Sequence, residues 1–269
     1  MKPEPIITSS RNPLIVEARK LAQRKHRQQQ GQFLVEGLQL LHMALDAGAR
    51  PADVFYCPEQ LVGAEATALL SRFRQAGGQA IAVSPMVMES LCERDAMQGI
   101  VATFDLFEAS LSDLKLSGRK LVVVLDRLQD PGNLGTLIRT ADAVGAAGMV
   151  LIEPCVDPFD PKTVRGTMGS LFNLPVVRTS DIHALFKHVK QCGLHVIGTD
   201  VQGGIAWGHG RLKGGVALVL GNEARGLSED IRALIDQNAC LPMVGKAESL
   251  NVAVAGGVLM YAWLRENET

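Results

Sequence analysis

The stretch Leu121-Val-Val-Val-Leu-Asp-Arg-Leu-Gln-Asp-Pro-Gly-Asn-Leu-Gly-Thr-Leu-Ile-Arg139 decides the fold. Its first five residues are apolar without a break, as in a parallel strand buried on both faces. A loop over 126–132 follows. Leu134, Leu137, Ile138, Ala141 and Val144 then recur at helical spacing, and Gly145 ends the pattern. Strand, loop and amphipathic helix in that order form half of a crossover unit. The alternation continues downstream. Strands are expected over 149–152, 176–178, 194–199, 216–220 and 239–241, and helices over 164–170, 182–191, 227–236 and 252–264. About 150 residues of this pattern predict a parallel sheet covered on both faces, with ligands at the carboxyl ends of its strands.

Upstream the elements are smaller. Strands are expected over 33–35, 54–57, 80–83 and 100–104, and helices over 38–47, 65–75 and from Pro85. They predict a small α/β domain over 1–105, then a linker or connecting helix over 106–118, then the larger domain over 119–269. Residues 11–27 carry Arg11, Arg19, Lys20, Arg24, Lys25 and Arg27 against Glu17, with Leu14, Ala18 and Leu21 at helical spacing. One amphipathic helix with a basic face is expected. That face is either solvated or in contact with phosphates.

Bulk properties set limits. The 269 residues are 47% hydrophobic, enough for one large core or two ordinary ones. A net charge of -1 excludes a wholly basic nucleic-acid binder but allows a local basic patch. Five cysteines without a CxxC pair argue against zinc and disulfides and for free thiols. Neither a secretory leader nor an apolar run of roughly 18 residues is present, so a soluble cytoplasmic protein without a membrane span is expected.

Three loops after apolar strands carry the polar residues of interest. The first holds Asn133, placed as a helix cap or a functional amide, and Arg139, outside the apolar stripe. The second, Leu220-Gly-Asn-Glu-Ala-Arg-Gly226, sets Glu223 between glycines; Gly221 could admit a ligand close to the backbone, and Glu223 could equally be a helix-start acid. The third, Leu241-Pro-Met-Val-Gly-Lys-Ala-Glu-Ser-Leu-Asn251, offers Ser249 and Asn251 as caps or site residues. The GxGxxG fingerprint of dinucleotide sites is absent. Gly203-Gly204 and Gly214-Gly215 frame Trp207 and His209 in a stretch expected near a ligand. Asp157 and Asp160 lack the spacing of a metal site.

Taken together, these loops resemble the motifs of the SpoU branch of the SPOUT RNA methyltransferases, the TrmH family. The motifs are Asn133-Leu-Gly-Thr-Leu-Ile-Arg139, Leu218-Val-Leu-Gly-Asn-Glu-Ala-Arg-Gly-Leu227 and Leu241-Pro-Met-Val-Gly-Lys-Ala-Glu-Ser-Leu-Asn-Val-Ala-Val-Ala255. Arg165-Gly-Thr-Met-Gly-Ser-Leu-Phe-Asn-Leu-Pro175 resembles the segment between the first two. The first half, with Gln32-Phe-Leu-Val-Glu-Gly37, is similar to the L30e-like substrate-binding domain that precedes many such enzymes.

The resemblance implies an α/β fold with a deep trefoil knot in the second domain, a homodimer, and S-adenosylmethionine held near Thr199, Leu220, Gly221, Leu241, Met243 and Leu250. It implies methylation of a ribose 2′-hydroxyl in RNA, with 23S ribosomal RNA the expected substrate, and no metal. Arg139 would carry the central role, with Asn133, Glu223, Ser249 and Asn251 completing the site. Glu223 would orient Arg139 or a substrate group. Four alternatives remain open at this level: a tRNA 2′-O-methyltransferase, a base methyltransferase of the wider group, a non-catalytic RNA-binding or ribosome-assembly protein, and an α/β enzyme acting on a small metabolite, which the extra L30e-like domain argues against.

Overall fold

The computed structural model describes residues 5–92, 98–118, 120–199, 205–206 and 210–268. Contacts divide the chain into two compact units. One comprises Met1–Phe107 with Phe159–Phe172, and the other Glu108–Pro158 with Asn173–Thr269. Trp207, His209 and the Gly203-Gly204 pair lie outside the described residues.

The first unit begins with two helices, α1 (Pro13–Lys20) and α2 (Arg24–Gln30). A single helix was the expectation. The break at Leu21–Gln23 is held by Arg27, whose guanidinium donates to the carbonyls of Leu21 (2.8 Å) and Ala22 (3.0 Å). Arg27 is 2% exposed and reaches Asp160 at 3.8 Å, so it leaves the basic face on which the sequence placed it. The buried stripe is also rotated: Ile15, Ala18 and Leu21 are inside, and Leu14 is exposed.

Beyond it lie β1 (Gln32–Glu36), α3 (Leu38–Asp46), β2 (Pro51–Tyr56), α4 (Ala64–Gln75), β3 (Gln79–Ala82), α5 (Pro85–Leu91) and β4 (Ile100–Asp105). The sheet order is β1-β4-β2-β3, antiparallel except for the β2–β3 pair. Helix α7 (Pro161–Gly166) and a 3-10 turn over Ser170–Phe172 complete this unit although the chain passes through part of the second unit before reaching them. They bring Phe159 and Phe172 onto Phe33, Phe104 and Phe107, with Phe33 and Phe159 ring centroids 4.8 Å apart.

The second unit contains β5 (Leu121–Asp126), α6 (Pro131–Ala143), β6 (Gly148–Ile152), β7 (Val176–Thr179), α8 (Ile182–Gln191) and β8 (His195–Thr199). It continues with β9 (Ile205–Ala206), β10 (Val216–Leu220), α9 (Glu229–Arg232), β11 (Gln237–Cys240) and α10 (Val252–Asn267). Among the described residues these strands form a seven-stranded sheet in the order β7-β6-β5-β10-β8-β11-β9, with every pairing parallel. One face, with Val122, Val124, Ala217 and Val219, packs on Leu185, Phe186 and Val189 of α8 and Ile231 of α9. The other is covered by α6 and α10, where Gly256 lets Leu137 and Leu220 approach: a Cβ there would sit 2.7 Å from each. Coverage of both faces explains why β5, β6 and β10 are buried along their whole length. Helix α9 is one turn, shorter than the helix expected over 227–236.

Asp236 ties the turn after α9 to β8 and α8. Its carboxylate accepts from the Val196 amide (2.9 Å) and the Lys190 ammonium (2.6 Å). Partial burial pushes its carboxyl up, but these hydrogen bonds and the charges of Lys190 and His195 outweigh it and hold the carboxyl below its ordinary range. A depressed folded-state pKa gives stability above the unfolded value that is lost as pH falls through the folded one. Asp236→Asn is therefore expected to cost about 0.5–1 kcal/mol at neutral pH, allowing for solvent screening. Denaturant titrations should show that deficit shrinking to nothing below the carboxylate range; a constant deficit would refute the ionic origin.

The described cysteines are all free. Burial pushes the Cys92 and Cys155 thiols up to about 12, so both stay protonated and unreactive. Among the described residues no helix is long and apolar enough to cross a membrane.

Candidate active site

Adjacent strands β5, β10, β8 and β11 end on one edge of the second unit's sheet, where parallel sheets place their ligands. There a cleft of about 430 Å³ opens, lined by Thr199, Gly221, Leu241, Met243 and Leu250, and also by Glu223, Ser249 and Asn251. The structure thus brings together five of the six residues expected at the cofactor. Leu220, the sixth, is buried at the end of β10 with its side chain against Gly256, and only its chain neighbour Gly221 lines the cleft.

Gly221 lines the cleft and is also required by the packing of its own loop. The loop after β10 folds back on itself through paired hydrogen bonds between Asn222 and Gly226 (3.0 and 2.9 Å). A Cβ at position 221 would lie 2.4 Å from the Gly226 carbonyl carbon and 2.5 Å from the Leu227 nitrogen, both backbone. Backbone cannot rotate away as a side chain can. Gly221→Ala is expected to destabilise the second unit by about 2–3 kcal/mol and to weaken S-adenosylmethionine binding. Calorimetric melting and cofactor titration check this, and wild-type values in both would show that the loop relaxes freely.

The polar residues of three loops form one relay. The N-cap of α10 is Asn251, whose Oδ1 accepts from the amides of Ala253 (2.8 Å) and Val254 (3.3 Å). With its oxygen fixed by two donors, its Nδ2 must point outward, and it donates to Asn133 Oδ1 at 2.9 Å. Asn133 in turn donates from Nδ2 to Glu223 Oε1 at 3.1 Å. Glu223 also accepts from the amides of Asp130 (3.1 Å) and Gln129 (3.3 Å). In these bonds its two oxygens only accept, which ends the chain. The N-cap of α6 is Asp130, whose carboxylate accepts from the Asn133 amide at 2.7 Å, with Pro131 in the first turn. Asn133 is thereby relieved of the capping role and its side chain faces the relay.

Ser249 is exposed at the cleft and Arg139 is exposed on α6, outside the cleft lining. The Arg139 guanidinium has no hydrogen-bond or ion-pair partner among the described residues. Among the described residues the Glu223 carboxylate bonds Gln129, Asp130 and Asn133 within one chain, and no bond joins it to Arg139. Asp126 and Asn222 were not singled out from the sequence, though both bond across these loops. The one available signal was an acid directly continuing a five-residue apolar strand.

The cleft's chemistry fits S-adenosylmethionine. Leu241, Met243, Leu250, Ala255 and Leu259 offer apolar walls for a flat ring, and Thr199 and the neighbouring backbone supply polar contacts. Among the described residues no lysine or arginine lines it, which disfavours a phosphate-bearing cofactor. Glu223 is its one charged lining residue among those described, a favourable neighbour for a cationic sulfonium. Among the described residues no group of three or more His, Cys, Asp or Glu side chains is placed to hold a metal ion.

Comparison with known proteins agrees. Residues 120–261 match the SpoU rRNA Methylase family, and residues 12–102 match the MRM3-like substrate binding domain. The 23S rRNA (guanosine(2553)-2′-O)-methyltransferase RlmP of Bacillus subtilis is 33% identical over 95% of this chain and 97% of its own. The 23S rRNA (uridine(2479)-2′-O)-methyltransferase of Streptomyces viridochromogenes is 32% identical over 91% of this chain and 87% of its own. The AdoMet-bound rRNA methyltransferase from Sinorhizobium meliloti superposes with a TM-score of 0.89 at 33% identity, covering 98% of this chain and 99% of that one. The fold is that of a SPOUT-type methyltransferase with an N-terminal substrate-binding domain. The chain belongs to the SpoU rRNA methylase family.

Proposed function

We propose that the protein transfers a methyl group from S-adenosylmethionine to a ribose 2′-hydroxyl of RNA, with 23S ribosomal RNA as substrate. The observation that carries this reading is the cleft of β10 and β11, without lysine or arginine among its described lining residues, meeting the Asn251–Asn133–Glu223 relay at one sheet edge. S-adenosylmethionine bound there supplies an electrophilic methyl carbon on a positively charged sulfur, so the protein's task is alignment and charge stabilisation. Arg139 binds the phosphate beside the target and polarises the 2′-hydroxyl through its fork of donors. A guanidinium only donates hydrogen bonds, so the hydroxyl proton passes to water as the oxygen–carbon bond forms, the sulfur–carbon bond breaks and neutral S-adenosylhomocysteine leaves. Asn133 and Asn251 fix the loops around the target ribose, Glu223 holds Asn133, and Ser249 contacts cofactor or nucleotide. Because only RNA carries the 2′-hydroxyl, the first unit is read as its holder, with Arg24 and Lys25 among its phosphate contacts.

Two structural expectations belong with this reading. Val254, Val258 and Tyr261 lie at i, i+4 and i+7 on α10 and are 54%, 37% and 53% exposed, an apolar stripe on a helix packed against α6. This supports a homodimer in which α6 and α10 face the partner and Arg139 serves a shared site. Sedimentation at twice the 28.9 kDa chain mass checks it, and a monomer at micromolar concentration would refute it. Insertion of the late strand β10 between β5 and β8, with the 241–251 loop returning to Asn133, supports the trefoil knot. A cytoplasmic location follows from the substrate.

The test is transfer of a labelled methyl group from S-adenosylmethionine to separated rRNA and tRNA, followed by digestion to nucleosides. Label in a 2′-O-methylnucleoside of 23S rRNA is expected. Label in tRNA would overturn the substrate, and label on a base would overturn the mechanism. No label on rRNA or ribosomal particles, with no cofactor binding, would favour a non-catalytic RNA-binding protein.

A further inference from the structure

Beneath the relay lies a second tier of polar contacts that the proposed chemistry does not use. Asp126 ends β5 and is 1% exposed. Its Oδ2 accepts from the Ser228 amide at 2.7 Å, across from the end of β10, and its Oδ1 accepts from Arg127 Nε at 2.9 Å. Arg127 adopts φ +56°, a left-handed conformation that is strained for an L-residue and persists only when its surroundings enforce it. In that conformation the Arg127 carbonyl accepts from Asn222 Nδ2 at 2.8 Å. Asn222 Oδ1 accepts from the amides of Ala224 and Arg225, both at 3.1 Å. All of these bonds run from one loop to the other or back within a loop. A buried carboxylate is expensive unless paired, and here both oxygens are paired at the seam between β5 and β10.

The geometry points to Asp126 and Asn222 as positioning residues for the methyl-transfer reaction. They clasp the loop after β5 to the loop after β10, which sets the Glu223 carboxylate against the Gln129 and Asp130 amides and, through it, the Asn133 carboxamide. The assignment rests on the function proposed above. It differs from a purely structural role in one respect: the two residues act through Glu223, so their effects vanish once Glu223 is gone.

The test uses the full-length protein and a double-mutant cycle. Asn222→Ala and Asp126→Asn are compared with Glu223→Ala and with the Asn222→Ala/Glu223→Ala and Asp126→Asn/Glu223→Ala pairs for kcat, KM and melting temperature. A displacement of about 1 Å in a site can cost roughly 100-fold. Asn222→Ala is therefore expected to lower kcat by about 10- to 100-fold and Asp126→Asn by about 10-fold, with neither adding to the loss in Glu223→Ala. Losses that multiply in either double variant, or a lowered melting temperature with unchanged kcat, would overturn the assignment. Amide hydrogen exchange gives a reading independent of turnover. Exchange at Gln129 and Asp130 is expected to accelerate by about 10-fold or more in Asn222→Ala, as in Glu223→Ala. Unchanged exchange at these amides overturns the clasp even if the protein transfers no methyl group; accelerated exchange without transfer would leave the clasp standing and refute the proposed function.

Discussion

Arg139→Ala is expected to reduce kcat for methyl transfer by about 100- to 1,000-fold or more while leaving cofactor affinity and melting temperature at wild-type values. The separation follows from where the residue sits. Arg139 is on the solvent side of α6, with no partner among the described residues and no place in the cleft lining, so its removal breaks no packing and touches no cofactor wall. Exposed substitutions of this kind change stability by about 0.5 kcal/mol or less. What is lost is a rigid fork of donors, and Arg139→Lys, which restores charge without the fork, is expected to recover only part of the rate. Single-turnover kinetics on 23S rRNA, with calorimetric titration of S-adenosylmethionine, separates these quantities. Turnover within about threefold of wild type in Arg139→Ala would remove this residue from the mechanism.

The second large effect is on stability. Phe33→Ala is expected to destabilise the first unit by about 3–5 kcal/mol. Phe33 is fully buried and its ring contacts Phe104, Phe107, Phe159 and Phe172 at centroid distances of 4.8 to 6.3 Å. Phe73 adds an edge contact to Phe104 at 5.7 Å, so six of the chain's eight phenylalanines form one cluster. In a chain with only 4% aromatic residues, that concentration marks the place where a cavity is least easily closed. Denaturant unfolding of the variant measures the loss; a change below about 1 kcal/mol would mean that the rings collapse into the space.

Legibility in the sequence followed range. The strands 121–125 and 216–220 could be read because a continuous apolar run of that length, bounded by loops, leaves little but a buried strand. Helix α6 was placed three residues late, because Asp130-Pro131-Gly132 reads as loop although Asp130 caps the helix and Pro131 suits its first turn. The break between α1 and α2 escaped because periodicity cannot register a buried arginine that bonds the carbonyls on which one helix ends. The site's residues were legible only as motifs in order. Their geometry joins positions 90 to 118 apart, as in Asn133 to Glu223 and Asn251 to Asn133, and no local rule links them. Asp126 and Asn222 were passed over for the same reason: each looks like ordinary loop polarity until the opposite loop is in view.

The return of residues 159–172 to the first unit has a consequence for the order of synthesis. That unit's core needs Phe159 and Phe172, yet the chain leaves the unit at Phe107, and 172 − 107 = 65 further residues must be made before the last ring arrives. At about 5–20 residues per second the nascent chain waits roughly 3–13 s with Phe33 and Phe104 incompletely covered. Domains usually close from the amino end as they emerge, but this one stays open until much of β5, α6 and β6 has already left the ribosome. A fragment ended at the apparent boundary near residue 105 would carry that exposed aromatic surface permanently, as a sticky, chaperone-dependent species.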